Sequence, residues 1–522
     1  VWVIQHKDGT VEELSRSDSD DNEWLPSRIY STEGRYISFL YSRIQGRRVV
    51  REVRDAHHCL IKFEYESDNN WSSQPGFTLW PDSAHHKRKF IFIIRDSWLR
   101  QIRMLSRDGF EDAHWMFDYQ PSENGGPLIT HMQTPLGAVE TLRYAVNGHA
   151  LPIGAPVDFV PVVLSLTVAP GLGLRPTTRV YDFSSTNYFG YGAGYIWSEG
   201  GDPLNKSSSD YTYSSRETST KEGQSRSTER VYNRFHLMIS ETTVVGTKVQ
   251  RKKIKYHDVD GLNFYAQPAI FQQPKQVVIS YFDSETPDTL YSEITTTTYD
   301  NFGNVLELHS PAGGREVNVY YSASGEDGCP ASPSGLVSFL KSKRILPAPD
   351  FLEASTTEFK YRYVGLPSLR DHQKTFLVLL SDELYEGGVT EPVLRTTYSY
   401  VTDPRDDCYG KVSAKTDYMG GASTCYKHHY SVDQRVVRST QSIAVGEQLF
   451  SQFVECDRFT GQEVRVCDHS GHVVESLYDG VGRLQCETVA VGALPVSQRH
   501  TYQLPTEGEG QVRHVLREAL ST

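Results

Sequence analysis

The segment Tyr299-Asp300-Asn301-Phe302-Gly303-Asn304-Val305 reads as the end of one strand, a tight turn and the start of the next. Ahead of it, Glu293-Ile294-Thr295-Thr296-Thr297-Thr298 is rich in β-branched residues, which suit a pleated surface. Gly303 supplies the positive φ that a short hairpin turn needs, and Asp300 and Asn301 are residues that bond their own backbone in such turns. Variants recur near the C-terminal end. Cys456-Asp457 is followed by Gly461, Cys467-Asp468 by Gly471, and Tyr478-Asp479 by Gly482. Asp457, Asp468 and Asp479 stand 11 residues apart. That period is too short for a helical repeat and fits one strand plus one turn. A chain so punctuated is expected to be a succession of antiparallel hairpins.

A second repeat points the same way. Thr134-Pro135-Leu136-Gly137 runs on to Glu140 and Tyr144, and Ser310-Pro311-Ala312-Gly313 runs on to Glu316 and Tyr320. In both, the tyrosine falls seven residues after the glycine, as it does from Gly34 to Tyr41 and from Gly471 to Tyr478. Seven residues cover a turn exit and one short strand of about 5–6 residues. An aromatic ring at a fixed distance from each turn is expected to stack on its counterparts in neighbouring hairpins.

Composition narrows the function classes. The net charge of −12 over 522 residues disfavours a nucleic-acid partner. Apolar residues including Tyr make up 38%. Exchanging Tyr for Gly in that sum gives roughly 40%, against about 45–50% in ordinary globular chains. A broad sheet wet on both faces explains the deficit. The 31 Tyr and 22 Phe against 5 Met favour strands over helices. No run approaches the roughly 18–20 apolar residues of a membrane-spanning helix. The chain opens at Val1 in what reads as mid-strand, which suggests a fragment of a longer protein. Seven cysteines at irregular spacing do not make a disulfide framework and suit folding in a reducing compartment.

Along the chain, Asp8-Gly9, Glu33-Gly34 and Asp108-Gly109 read as turns leading into strands. The continuous apolar run Phe90-Ile91-Phe92-Ile93-Ile94 is expected to be buried on both faces. Residues 148–178, rich in Pro and Gly, are a linker or a strand bounded by turns, and a possible sub-boundary. Residues 181–200, with glycine-spaced Tyr188, Phe189, Tyr191, Tyr195 and Trp197, suggest a compact loop. Residues 205–230 read as a long polar hairpin or a loop, and 335–346 as a short helix. The polar tail 504–522 is expected to be helical or frayed.

Candidate chemistry is sparse. His57-His58, His85-His86 and His428-His429 invite a metal reading, but neighbouring strand residues point to opposite faces. Cys425 and His428 have ligand-like spacing without a regular fourth ligand. Asp18, Asp20 and Asn22 open like a calcium loop, yet Glu23 stands where Gly is needed and Ile29 where the terminal Glu belongs. Asp258 and Asp260 before Gly261 read as turn formers. No nucleophile elbow, phosphate loop or dinucleotide fingerprint occurs. No metal or cofactor is expected. The exposed-looking rings Tyr188, Tyr191 and Trp197 are candidate ligand contacts, weighed against burial within their loop.

Tyr299-Asp300-x-x-Gly303, Tyr478-Asp479-x-x-Gly482, the Cys-Asp variants and the two Pro-x-Gly segments together resemble the RHS/YD-repeat family, most closely its long Pseudomonas-type bacterial members. The resemblance covers most of residues 1–503. It implies an all-β fold in which a spiral of antiparallel hairpins forms part of a large hollow shell. It further implies a non-enzymatic scaffold that is folded in the bacterial cytoplasm and then secreted or delivered. The implied partners are an enclosed toxin or effector cargo, adjoining shell segments, and secretion or toxin-complex components. A cell-surface or carbohydrate-binding adhesion module is the alternative, and a β-rich hydrolase a more distant one. The family's Asp-Pro-containing self-cleavage region is not recognisable here.

Overall fold

The computed structural model describes residues 1–521 apart from 17–22, 45, 66–74, 84–85, 106–111, 123–125, 172–173, 207–209, 222, 287–290, 351–354, 372, 434, 480–481, 492–493 and 503–514. The Asp108-Gly109 turn, the Asp18–Asn22 segment, His85 and the first part of the tail lie outside the described residues.

The chain is all-β, and its described residues form a single antiparallel sheet of 35 strands. Each strand pairs with the one before it and the one after it, from Trp2–Gln5 against Val11–Arg16 to Leu494–Tyr502 against Val515–Ser521. The first and last strands are not paired with each other, so strand pairing leaves the sheet unclosed. Among the described residues the close backbone approach of strands is between neighbours in sequence. The wall is one sheet thick.

Exposure gives the consequence of that thinness. A compact folded chain of this mass exposes about 19,000 Å². This one exposes 31895 Å². The low apolar fraction thus matches a molecule with no large interior to fill. The run Phe90–Ile94 illustrates it. Only Ile91 is buried, Ile94 is 47% exposed, and the expected burial on both faces fails because, among the described residues, no second sheet lies over this one. The sheet is not wet on both faces throughout, however. Phe63, Phe77, Phe90, Phe92 and Trp115 share one face of successive strands and touch ring to ring, with Phe77 and Phe90 stacked at 4.5 Å. Lys89 and Glu64, 2.7 Å apart, occupy the opposite face.

Two sequence expectations are corrected. Residues 335–346 are not a helix: 335–339 are turn and coil, and Leu340–Leu346 is a strand between Arg315–Tyr320 and Thr357–Pro367. A short apolar run carries no period of its own, and two available ladders decide it. The end of the tail is not helical either, since Val515–Ser521 pairs with Leu494–Tyr502. By contrast, residues 212–233 form the long polar hairpin, in unbroken register from Thr212↔Asn233 to Lys221↔Gln224. Residues 148–178 lie in strands of the same sheet with turns between them.

Apolar cores are small and lie under loops at strand ends. One joins Leu366, Phe376 and Tyr409, with Leu369, Val378 and Tyr400 against them. A second packs Phe235, Phe264 and Phe271 with ring centroids 5.2–6.2 Å apart. A third lies beneath residues 184–206, around Leu204, Asn187 and Tyr211.

Candidate functional site

The recurrent turn is one structure in several sequence disguises. Asp300 N–H donates to Asn304 O at 3.0 Å, and Gly303 N–H donates to Asp300 O at 3.0 Å. The Asp300 carboxylate accepts the amides of Phe302 and Asn304, both at 2.8 Å. Gly303 has φ +76°, as the turn demands. The same two backbone bonds close 468–472 and 479–483, with Gly471 and Gly482 at φ +82° and +86°. Thr134–Ala138 and Ser310–Gly314 use the identical pair of bonds around Gly137 and Gly313. The Asp-x-x-Gly and Pro-x-Gly repeats are therefore the same turn, with a hydroxyl residue standing where the Asp stands. The Asp457 turn is one residue longer. Asp457 N–H reaches Gln462 O, and Gly461 N–H reaches Asp457 O, both at 2.8 Å. The spacing of 11 is one strand plus one turn over this stretch, as in Glu463–Cys467 followed by the Asp468 turn.

Asn233–Leu237 closes with these bonds too, but His236 holds the positive φ (+59°) in place of glycine. Sequence reasoning missed it, because the only local signal is Asn233, whose side chain accepts from Phe235 and Leu237 N–H. The Asp468 carboxyl is held below its usual range, chiefly by the His472 amide it accepts from. Gly303→Val is expected to strain the 300–304 turn and lower stability by about 1 kcal/mol or more. An unchanged melting temperature would count against this role.

The tyrosines at fixed distance do not form a ladder. Tyr41, Tyr144, Tyr320 and Tyr478 each sit immediately after a shift in strand register, and so does Tyr299 ahead of the Asp300 turn. Tyr41, Tyr144 and Tyr478 then send their hydroxyl back to a carbonyl of the preceding strand, at Pro26, Ile129 and Glu463, over 2.8–2.9 Å. Tyr299 meets His257 edge-on at 5.6 Å. The phenol bridges the backbone where the bulge has upset the ladder, which stacking would not do. Tyr144→Phe is expected to weaken this strand end by about 0.5–1.5 kcal/mol, read from faster amide exchange in Leu128–Gln133.

What brings distant residues together is a seam, where the sheet winds back beside itself. Lys7 Nζ donates to Phe302 O at 3.1 Å across 295 residues. Arg370 pairs with Glu13 at 3.2 Å across 357 residues, and Arg35 donates to Asp406 O at 2.9 Å across 371. The partners advance in the same order on both sides, so one course of the wall is followed along its rim by the next. At the centre of the seam, Leu369 N–H donates to Glu33 O at 2.8 Å. A Cβ on Gly34 would lie 2.3 Å from Arg370 N.

Further along, the seam opens into a recess of about 470 Å³ lined by His86, Arg88, Asp457, Arg465, Tyr478 and Asp479. Of the repeat residues singled out in the sequence, Asp457, Tyr478 and Asp479 thus meet here, beside Gly482, whose carbonyl accepts from Gln462 Nε2 at 2.6 Å. Tyr299, Asp300 and Gly303 lie at the Lys7 end of the seam. Gly313 lies against Ala348 and Pro349.

The candidate ligand rings sit in the loop 184–211. Tyr188 and Tyr191 are 46% and 42% exposed, and Trp197 is half-buried, its backbone N–H donating to Ile153 O at 2.9 Å. Tyr188 also packs on Phe189 at 4.0 Å and edge-on to His149, and burial pushes its phenol pKa up. The loop is organised by Asn187, whose Nδ2 donates to Ala150 O at 2.8 Å and whose Oδ1 accepts from Phe189 N–H at 3.0 Å. On the strand Ala422–Val432, Cys425 and His428 are an odd number of residues apart and face opposite sides. Among the described residues no three His, Cys, Asp or Glu side chains are grouped to hold a metal ion, and no helix is long and apolar enough to cross a membrane.

No known family profile and no curated protein matches this chain in sequence. It is similar in structure to a chain of the crystal structure of TcdB2-TccC3-Cdc42, with TM-score 0.34 and 10% identity, covering 100% of this chain and 31% of that one. A chain of TcdB2-TccC3-TEV gives TM-score 0.31 and 9% identity over 95% and 27%. This chain spans less than a third of either. At these scores the likeness carries no argument about function.

Proposed function

We propose that this chain is a stretch of shell wall of the RHS/YD-repeat kind, a non-enzymatic scaffold that encloses a polypeptide cargo. The observation that carries the reading is the one-sheet-thick wall that winds back along its own rim. Such an arrangement exposes far more surface than a solid domain and bounds space without filling it. Antiparallel pairing satisfies both sides of every strand but the first and last, which leaves few of the open strand edges that template aggregation. The half-buried ring-lined face formed by Phe63, Phe77, Phe90, Phe92 and Trp115 suits contact with an unfolded or partly folded chain. On this reading the protein folds in a bacterial cytoplasm around its cargo, a toxin or effector, and is afterwards exported with it.

The test uses the intact protein that carries this chain. Lysine cross-linking followed by peptide mapping is expected to join the wall to a polypeptide segment that is not part of it. That segment should resist added protease until the wall is denatured. A wall that cross-links only to itself, or a joined segment that protease removes freely, overturns the proposal.

A further inference from the structure

Elsewhere the seam is held by the side chains of Lys7, Arg35 and Arg370 and by the Leu369–Glu33 backbone bond; beside Trp80 it is held by an imidazole. His86 Nδ1 lies 3.5 Å from Asp457 Oδ2, and both side chains are only 11% exposed. The His86 ring stacks on Phe459, with centroids 4.4 Å apart and planes at 22°. Trp80 meets the same Phe459 edge-on at 6.0 Å. Each side of this contact is anchored separately. His86 N–H bonds Ser83 Oγ at 3.1 Å, while Asp457 Oδ1 accepts from Phe459 and Thr460 N–H at 3.0 and 2.8 Å. The second carboxylate oxygen is thereby aimed across the seam.

Other charges face the same recess. Lys87 and Arg88 come from the first course, and Arg435, Glu455, Arg465, Glu475 and Asp479 from the second. Glu455 is paired with Arg438, Glu475 with Arg465 at 3.2 Å, and Asp479 with Arg483 at 2.7 Å. Arg458, in the Asp457 turn, reaches Asp407 at 3.8 Å. The acids around the recess therefore have arginines, whereas the ion-pair partner of Asp457 among the described residues is His86.

We propose that His86 is a proton-operated latch between two courses of the wall. As imidazolium it ties the first course to the Asp457 carboxylate and to the face of Phe459. As neutral imidazole it keeps the stack and loses the ion pair. Closing this part of the seam takes up a proton. The latch is complete in acid and is lost as pH rises through the range in which imidazoles titrate. The Glu33–Leu369 contact, made by backbone atoms, does not share this dependence. The proposal does not require a cargo, so its outcome is independent of the function proposed above.

Amide hydrogen exchange on the 522-residue chain tests it, with rates corrected for the intrinsic effect of pH. From pH 5.5 to 8.5, protection of the Asp457 and Gly461 amides is expected to fall about fivefold. Protection at Leu369 is expected to stay level. His86→Phe, which keeps the stack and cannot be protonated, is expected to abolish the pH dependence at 457–461. His86→Gln gives the same comparison with a smaller, hydrogen-bonding side chain. A level profile in the wild type overturns the latch, and so does a fall that persists in a variant whose Leu369 protection shows an intact seam. If neither variant retains that protection, the wild-type contrast between 457–461 and Leu369 decides.

Discussion

Gly34→Ala is expected to part the two courses of the wall at Leu369, with a loss of about 3 kcal/mol or more. Two effects combine. Gly34 has φ +98°, where an L side chain is strained, and its Cβ would lie 2.3 Å from Arg370 N and 2.9 Å from Leu369 C. Both neighbours are backbone atoms, so no side chain can swing away to make room. The Leu369 N–H···O Glu33 bond is 2.8 Å long and must break or shift if the courses separate. Gly246→Ala is the control. Gly246 also has positive φ (+59°) but nothing lies within 4 Å of its Cβ position, so only the conformational strain of about 1 kcal/mol applies. Amide exchange at Leu369 separates the two variants: fast in Gly34→Ala, unchanged in Gly246→Ala. Equal behaviour would remove the close approach as the reason glycine is needed at 34.

Asn187→Ala is expected to unfold the loop 184–211 with a loss of about 2–4 kcal/mol, leaving the sheet on either side intact. Asn187 is 1% exposed and spans the base of the loop, bonding Ala150 O with its Nδ2 and Phe189 N–H with its Oδ1. Its own N–H donates to Tyr211 Oη at 2.9 Å. Truncation leaves Ala150 O and Phe189 N–H without those partners beside the fully buried Leu204. In a wall where strands pair only with their neighbours in sequence, such damage stays local. Limited proteolysis should cut the variant within 184–211 and spare the hairpin Thr212–Asn233. A cleavage pattern like that of the wild type would show that Asn187 does not organise the loop.

What the sequence made legible follows from the range of the forces involved. The turns were legible because a Gly at positive φ and an Asp that caps its own amides act within five residues. The spacing of 11 was legible for the same reason. The tyrosine spacing was visible but its meaning was not. A bulge depends on the partner strand, and the phenol of Tyr144 ends on Ile129, which no local pattern marks. The helix expected at 335–346 failed because a short apolar run does not choose its own period, and the flanking strands chose for it. His236 in a glycine position gave no warning. The seam was wholly hidden. Glu33 and Leu369, or His86 and Asp457, have no signature until the wall has wound far enough to bring them side by side. The recess that gathers Asp457, Tyr478 and Asp479 is a product of that winding.

The central claim is a sheet one layer thick that bounds space it does not fill. Small-angle X-ray scattering on the isolated chain tests it most directly. A compact protein of this length has a radius of gyration of about 24 Å. A clearly larger radius is expected, with a pair-distance distribution skewed towards long distances, as a thin curved wall gives. A radius near the compact value with a single symmetric peak would contradict it.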